Sequence, residues 1–215
     1  HQDDDLEIWS KRIELMKNQF VSMVSHELRT PLTAISGALG LIGGGALGTV
    51  PQPLQHMLTI AQENSHKLSQ LINDLLDIDK LVAGKMQFQF QRCQLLDLLQ
   101  QTILHNQPYA DKYQASIELL VSADAAEVED ELDPMRFHQV MANLLSNAAK
   151  FAPLGSQIQV RLSQTKQEVL VAVQDQGPGI SAEFQQRMFE KFSQADSADA
   201  RNKEGTGLGL AIVKE

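Results

Sequence analysis

Four short constellations in this chain carry side chains that could do chemistry. The first is Ser25-His26-Glu27-Leu28-Arg29-Thr30-Pro31. On a helix His26 and Thr30 stand at i and i+4 and share one face, with Arg29 beside them at i+3. An imidazole on an outer helix face can offer a ring nitrogen to an incoming phosphate. A carboxylate holding the opposite nitrogen sharpens its nucleophilicity. Alone, one His on a helix is as readily an ordinary surface or core residue. It is not half of a zinc pair, because H-E-x-x-H would need a second His where Thr30 stands. The second constellation is Asn143 and Asn147, also i and i+4, followed by Lys150. Amide oxygens can ligate Mg²⁺ directly or through water, and Lys can meet a phosphate. Two solvated asparagines are the alternative.

The third is Asp175-Gln176-Gly177-Pro178-Gly179, directly after a β-branched run. A buried Asp there could accept from an exocyclic amine, and the glycines would let the backbone approach a flat ring. An ordinary strand-to-helix turn has the same composition. The fourth is Gly205-Thr206-Gly207-Leu208-Gly209-Leu210, opening a helix whose first N–H groups could bind phosphate. It does not follow G-x-G-x-x-G, and G-x-x-x-x-G-K-[ST] occurs nowhere, so neither a Rossmann nor a P-loop site is indicated. Ahead of it lies a polar, small-residue segment, Ser193 to Glu204, whose only cations are Arg201 and Lys203. It reads as a lid, or as a plain loop.

These residues need elements to position them. Leu6, Trp9, Ile13, Met16, Phe20 and Met23 are spaced 3-4-3-4-3, a coiled-coil seam on a helix that continues through His26 and Pro31 to the glycines near Ile42. A second amphipathic helix is expected from about Pro53 to Val82, ended by Gly84. Two such helices joined by a short turn cannot hide both apolar faces alone. Pairing two hairpins gives a four-helix bundle, which implies a homodimer. After Gly84 the texture changes. Met86, Phe88 and Phe90 alternate with Gln as a strand would. Helices are expected over Leu95–Leu104, Met135–Phe151 and Phe184–Phe192, with another beginning at Leu208. Strands are expected over Ile117–Val121, Ile158–Leu162 and Val169–Val173, the last two as a hairpin. The fold class is thus multidomain: an all-α helical hairpin over 1–83, then an α/β sandwich over 84–215.

Composition narrows the partners. The 215 residues are 43% hydrophobic and 21% charged, as for a folded globular chain, and the formal net charge is −9. That acidity argues against a generic nucleic-acid binder, which needs clustered Lys and Arg. The lone Cys93 allows no intramolecular disulfide and fits a reducing compartment. Pro31 to Gln62 contains no Asp, Glu, Lys or Arg, but Gly43-Gly44-Gly45, Gly48, Pro51 and Pro53 break the run as a turn, not a membrane span. Any membrane association is expected only through segments absent from this chain, and the chain itself in the cytoplasm.

Each constellation is ambiguous alone; their order is not. FVSMVSHELRTP (Phe20–Pro31) resembles the His box of the bacterial sensor histidine kinases. DPMRFHQVMANLLSNAAKF (Asp133–Phe151) resembles their Asn box, DQGPGIS the first glycine box, MFEKFSQAD the Phe box and GTGLGLAIVKE the second glycine box. The resemblance covers nearly everything from about residue 10 onward. It implies a dimeric hairpin plus a Bergerat-type ATP-binding sandwich, with ATP and Mg²⁺ as cofactors and a response-regulator receiver domain as partner. In its terms His26 is the phosphoacceptor, Glu27 holds the imidazole's other nitrogen, and Thr30 positions water for dephosphorylation. Asn147, with Asn143, holds Mg²⁺, and Lys150 reaches phosphate. Asp175 recognises the adenine amine, and Gly177 and Gly179 line the base. Gly205, Thr206, Gly207, Leu208 and Gly209 cradle phosphates below a lid bearing Arg201 and Lys203. Family members continue past the second glycine box, so the sandwich is expected to be C-terminally incomplete here. The competing readings are a dimeric scaffold that binds nucleotide poorly, and an ATPase of the gyrase or chaperone kind. The latter would place a carboxylate where Asn143 stands and would lack the hairpin.

Overall fold

The computed structural model describes residues 2–194 and 206–214. The chain forms two compact units that divide between Met86 and Gln87.

The first unit is a helical hairpin, α1 (Gln2–Gly43) and α2 (Gln52–Val82). α1 runs on through Pro31, whose missing N–H removes one rung of the helix ladder. It ends where Gly45 (φ 76°) and Gly48 (φ 110°) adopt the left-handed region. Gly43 leaves room for a cross-helix contact: a Cβ there would lie 2.5 Å from Nε2 of Gln62 and would push that flexible amide aside. That amide crosses from α2 to donate to the Leu39 carbonyl at 3.0 Å. α2 ends in a Schellman motif, with Gly84 N–H on Leu81 O (3.0 Å), Lys85 N–H on Lys80 O (2.8 Å), and Gly84 at φ 63°. Between the helices Leu32, Ile72 and Leu76 form a small buried cluster. One hairpin buries little, and Trp9, Ile13, Met16, Phe20 and Met23 of the seam all remain exposed. No helix among the described residues is long and apolar enough to cross a membrane.

The second unit is the α/β sandwich. Its elements are β1 (Gln91–Gln94), α3 (Leu95–Lys112), β2 (Ser116–Val121), β3 (Glu129–Leu132), α4 (Pro134–Phe151), β4 (Gln157–Gln164), β5 (Val169–Gln174), α5 (Ala182–Gln185) and α6 (Gly209–Lys214). Strands β2, β4 and β5 form one sheet in that order. β4 lies parallel to β2, with Leu119 opposite Val160, and antiparallel to β5, with Val160 opposite Val173. β1 and β3 pair separately, Gln91 opposite Leu132. The alternation of β4 turns Ile158, Val160 and Leu162 to one face, where all three are almost completely buried. They pack with Leu95 and Leu99 of α3 and with Met141, Leu145, Ala148 and Ala149 of α4. Burying a side chain of this size contributes about 2 kcal/mol, so this one cluster dominates the unit's stability.

Three expectations are corrected. The Met86–Phe90 alternation forms no strand: Phe88 and Phe90 are exposed and tilt against each other at 5.7 Å, and pairing begins only at Gln91. The helix expected over Phe184–Phe192 is one turn, Ala182–Gln185, followed by turns, with Phe192 itself at φ 62°. Apolar spacing without a core to meet does not hold an element. In the other direction, α3 extends past Leu104 through Pro108 to Lys112, because Ala110 docks into the core.

Candidate functional site

The two groups of chemically equipped residues fall in the two units. In the hairpin, His26 is exposed on α1, and so are Glu27 and Thr30. Their neighbours fix the helix beneath them. Ser25 is buried and its hydroxyl donates to the Val21 carbonyl at 2.8 Å. Arg29 Nη2 donates to Asn73 Oδ1 of α2 at 2.9 Å, tying the helix one turn beyond His26 to its partner. Thr33 donates to the Arg29 carbonyl at 2.9 Å. Among the described residues Glu27 forms no hydrogen bond to His26, as adjacent positions on a helix diverge. The imidazole is therefore presented outward on a braced helix, open to an incoming group.

In the sandwich, α4 carries the second set. Asp133 caps this helix: its Oδ1 accepts from Met135 N (3.0 Å) and Arg136 N (3.2 Å), and its Oδ2 from Gln89 N (2.9 Å). Burial alone would raise this carboxyl, but the N–H groups of Gln89, Arg136 and Met135, with the Arg136 guanidinium, outweigh it and hold the pKa below the usual carboxylate value. Met141, Leu145 and Ala148 face the core, which leaves Asn143, Asn147 and Lys150 on a neighbouring stripe at i, i+4 and i+7. Both asparagines are half-buried. Asn143 Nδ2 donates to the Gly209 carbonyl at 3.3 Å, joining α4 to the start of α6. A Cβ on Gly209 would lie 3.2 Å from Asn143 Oδ1, so glycine permits this approach. Lys150 is buried, its ammonium 5.1 Å from the centre of the Phe151 ring.

The two glycine segments meet this helix and its end. Asp175 Oδ1 accepts from Gly177 N–H at 2.7 Å, an Asx-type turn. A side chain at Gly177 would lie 2.7 Å from that oxygen and 3.0 Å from the Phe151 carbonyl. Gly179 is left-handed (φ 78°) with open space around it. Asp175 is exposed, not buried as the sequence suggested; it lies one residue past the end of β5, where no element among the described residues covers it. Gly207 is left-handed (φ 70°), and its carbonyl accepts from Phe192 N–H at 2.8 Å, closing the base of the segment between them. Thr206 Oγ1 accepts from Leu208 N at 3.3 Å, and the Leu208 side chain is fully buried. Arg201, Lys203 and Gly205 lie outside the described residues.

The fold thus brings Asn143 to Gly209, and Gly177 to the end of α4, from segments far apart in sequence. Sequence reasoning missed three supports: the Phe151 carbonyl, the left-handed Phe192, and the Arg29–Asn73 brace. The cap was legible as Asp133 preceding Pro134. Close backbone approaches of this kind suit a flat, phosphate-bearing ligand such as ATP. No group of three or more His, Cys, Asp or Glu able to hold a metal occurs among the described residues. Amide oxygens on α4 fit a hard ion such as Mg²⁺ arriving with phosphates, rather than one held in a protein cage.

Comparison with known proteins agrees with this division. The profile of the histidine kinase-, DNA gyrase B- and HSP90-like ATPases matches residues 132–215. That of the His Kinase A (phospho-acceptor) domain matches residues 16–84. The sandwich is thus an ATP-binding domain of that ATPase class. The chain, carrying both modules, belongs to the sensor histidine kinases. It is 33% identical over 200 residues to the circadian input-output histidine kinase CikA of Thermosynechococcus vestitus, covering 93% of this chain and 27% of that protein. It is 35% identical over 203 residues to the sensor protein GacS of Pseudomonas syringae pv. syringae, covering 93% and 22%. The crystal structure of full-length ShkA in complex with AMPPNP superposes with a TM-score of 0.73 at 28% identity, covering 91% of this chain and 40% of that one. The chain therefore spans about a quarter of the length of these curated relatives.

Proposed function

We propose that this chain uses ATP to phosphorylate itself on His26 and then passes the phosphoryl group to an aspartate of a response-regulator receiver domain. The observation that carries this reading is the exposed imidazole of His26, braced by Ser25 and Arg29, in the same chain as a nucleotide-binding sandwich.

The chemistry follows from the charge distribution. Phosphoryl transfer has a loose transition state with charge spread over three oxygens, so positioning and charge neutralisation carry most of the catalysis. A neutral ring nitrogen of His26 forms the N–P bond as the bond between the β- and γ-phosphates breaks and ADP leaves. Gly177 and Gly179 admit the adenine, whose amine Asp175 accepts. Gly205, Gly207 and Gly209 admit the phosphates, and Thr206 and the buried Leu208 fix that backbone. Lys150, Arg201 and Lys203 supply positive charge. Asn147, assisted by Asn143, holds Mg²⁺, which neutralises phosphate charge when bound. The residues after Gly84, between the units, supply the freedom to align the γ-phosphate with His26. Division near Ala83-Gly84, as 1–83 and 84–215, is the functional boundary in this reading. The exposed seam from Trp9 to Met23 is covered in a homodimeric four-helix bundle.

Incubating the chain and a His26→Ala variant with γ-labelled ATP and Mg²⁺ tests the reading. Acid-labile, alkali-stable label on the parent and none on the variant is expected. Equal label on both would refute it. Thr30 is exposed one turn beyond His26, which favours a second activity, water-dependent dephosphorylation of the phosphorylated regulator. Thr30→Ala should then slow loss of regulator phosphate while leaving His26 labelling in place.

A further inference from the structure

A brace between α1 and α2 does not require a charge, yet the residue that makes it beside His26 is an arginine. His26 and Arg29 stand at i and i+3, so they are neighbours on α1, with Cβ atoms about 5–6 Å apart. Arg29 is exposed, and its Nη2 donates to Asn73 Oδ1 at 2.9 Å. Among the described residues Asn73 is the only side chain that this guanidinium bonds. That partner is a neutral amide. A guanidinium has several N–H donors and stays charged at any pH the fold meets. The bond to Asn73 therefore uses one donor and leaves the charge uncompensated.

Cations are scarce here. Arg29 is the one Lys or Arg between Lys17 and Lys67. On α2 the cations flanking Asn73, Lys67 and Lys80, lie about two turns away on either side. Carboxylates are nearer: Glu27 adjoins His26, and Asp77 stands one turn beyond Asn73. A phosphoryl group on the imidazole brings about two negative charges and three acceptor oxygens. Glu27 and Asp77 repel that charge, and Arg29 attracts it. With one Nη held by Asn73, the planar guanidinium offers its remaining donors as a fixed fork, which suits phosphate oxygens better than a point charge does.

We propose that the Arg29 guanidinium, oriented by Asn73, binds the oxygens of the phosphoryl group carried on His26. The inference rests on His26 being the phosphorylated residue, as in the function proposed above. The lone pair of the ring nitrogen forms the N–P bond, the electrons of the broken P–O bond leave with ADP, and the ring proton stays on the other nitrogen. Arg29 meets the phosphoryl oxygens as that bond forms. Asn73 acts through Arg29, as a positioning residue.

The test is the ionisation of the phosphohistidine itself, followed by phosphorus NMR across pH. Phosphoramidate transfers its phosphoryl group to exposed imidazoles and releases ammonia, so the measurement needs neither nucleotide nor kinase activity. The resonance missing from His26→Ala is that of His26. Arg29→Gln keeps an amide able to donate to Asn73 but removes the charge, which separates a brace from a receptor. In the parent the phosphoryl group should lose its last proton about half a pH unit or more below the midpoint in Arg29→Gln, because an adjacent cation favours the dianion. Arg29→Lys should keep part of that shift. Asn73→Ala changes no charge, and should lose part of it by releasing the guanidinium. Both positions are exposed, so the variants keep the fold. Equal midpoints in the parent and Arg29→Gln, or a parental midpoint in Asn73→Ala, would overturn the proposal. Failure to take label from ATP would count against the kinase reading instead, and would leave these midpoints to decide this one.

Discussion

Gly207 and Gly179 have nearly the same backbone, φ 70° and 78°, yet replacing them should cost very different amounts. Either alanine pays for a left-handed conformation, about 1 kcal/mol. At Gly179 nothing lies within 4 Å of the added carbon, so that is the whole cost. At Gly207 the carbon would lie 2.7 Å from the Phe192 carbonyl carbon, 2.8 Å from its Cα and 3.0 Å from Ser193 N. These are backbone atoms, so no side chain can swing aside. Relief requires displacing the 192–193 backbone and stretching the 2.8 Å bond from Phe192 N–H to Gly207 O. Losing that bond costs about 1 kcal/mol and overpacking a further 1 to 3. Gly207→Ala should therefore destabilise by at least about 3 kcal/mol against about 1 for Gly179→Ala. Scanning calorimetry of the whole chain should place the sandwich transition some 6 °C lower in the former than the latter, at roughly 3 °C per kcal/mol. Nucleotide affinity should fall in Gly207→Ala even well below the transition. Equal transition temperatures for the two variants would refute the reasoning, because the close approach to Phe192 would then carry no energy.

Asp133→Ala should cost about 2 kcal/mol by urea unfolding, from the lost cap and the lost Gln89 bond. Asp133→Asn should recover part of that, keeping one acceptor for Met135 and Arg136. Because the Asp133 pKa is lowered on folding, its contribution is present above the ordinary carboxylate value of 3.8 and fades as pH falls below it, a dependence Asp133→Ala should lack. In the hairpin, burial raises the pKa of Asp74, Gln70 opposes this by donating to Oδ1 at 2.8 Å, and Asp77 adds to it. Asp74→Asn keeps the Gln70 bond without the charge. It should stabilise the hairpin by about 1 kcal/mol at pH 7 and by nothing well below pH 3.8, measured by thermal melts. His138, with its pKa lowered, stabilises the fold above its ordinary 6.5. That contribution is lost as pH falls through 6.5 towards the folded value, and His138→Gln should flatten unfolding curves in this window.

Local periodicity and punctuation were enough for much of this protein. The helical spacing of α1, the periodic α4, the alternating β4 and the glycine end of α2 each satisfy a rule acting within a few residues, and each appears within a residue or two of its expected place. The order of five motifs was likewise written in the chain. Two strands escaped, β1 (Gln91–Gln94) and β3, which reads Glu129-Asp130-Glu131-Leu132; neither has apolar alternation, and each is a strand because the other lies beside it. Phe88 and Phe90 alternate correctly and form none, because no neighbour offers a ladder. Residue types and spacing determined which side chains could do chemistry. Only the tertiary structure decided that Asn143 meets Gly209, that Phe192 must bend left-handed to close on Gly207, and that the rings of His105 and His138 meet at 80°. Such contacts join segments tens of residues apart, and their energies depend on burial and close approach, which no local pattern encodes.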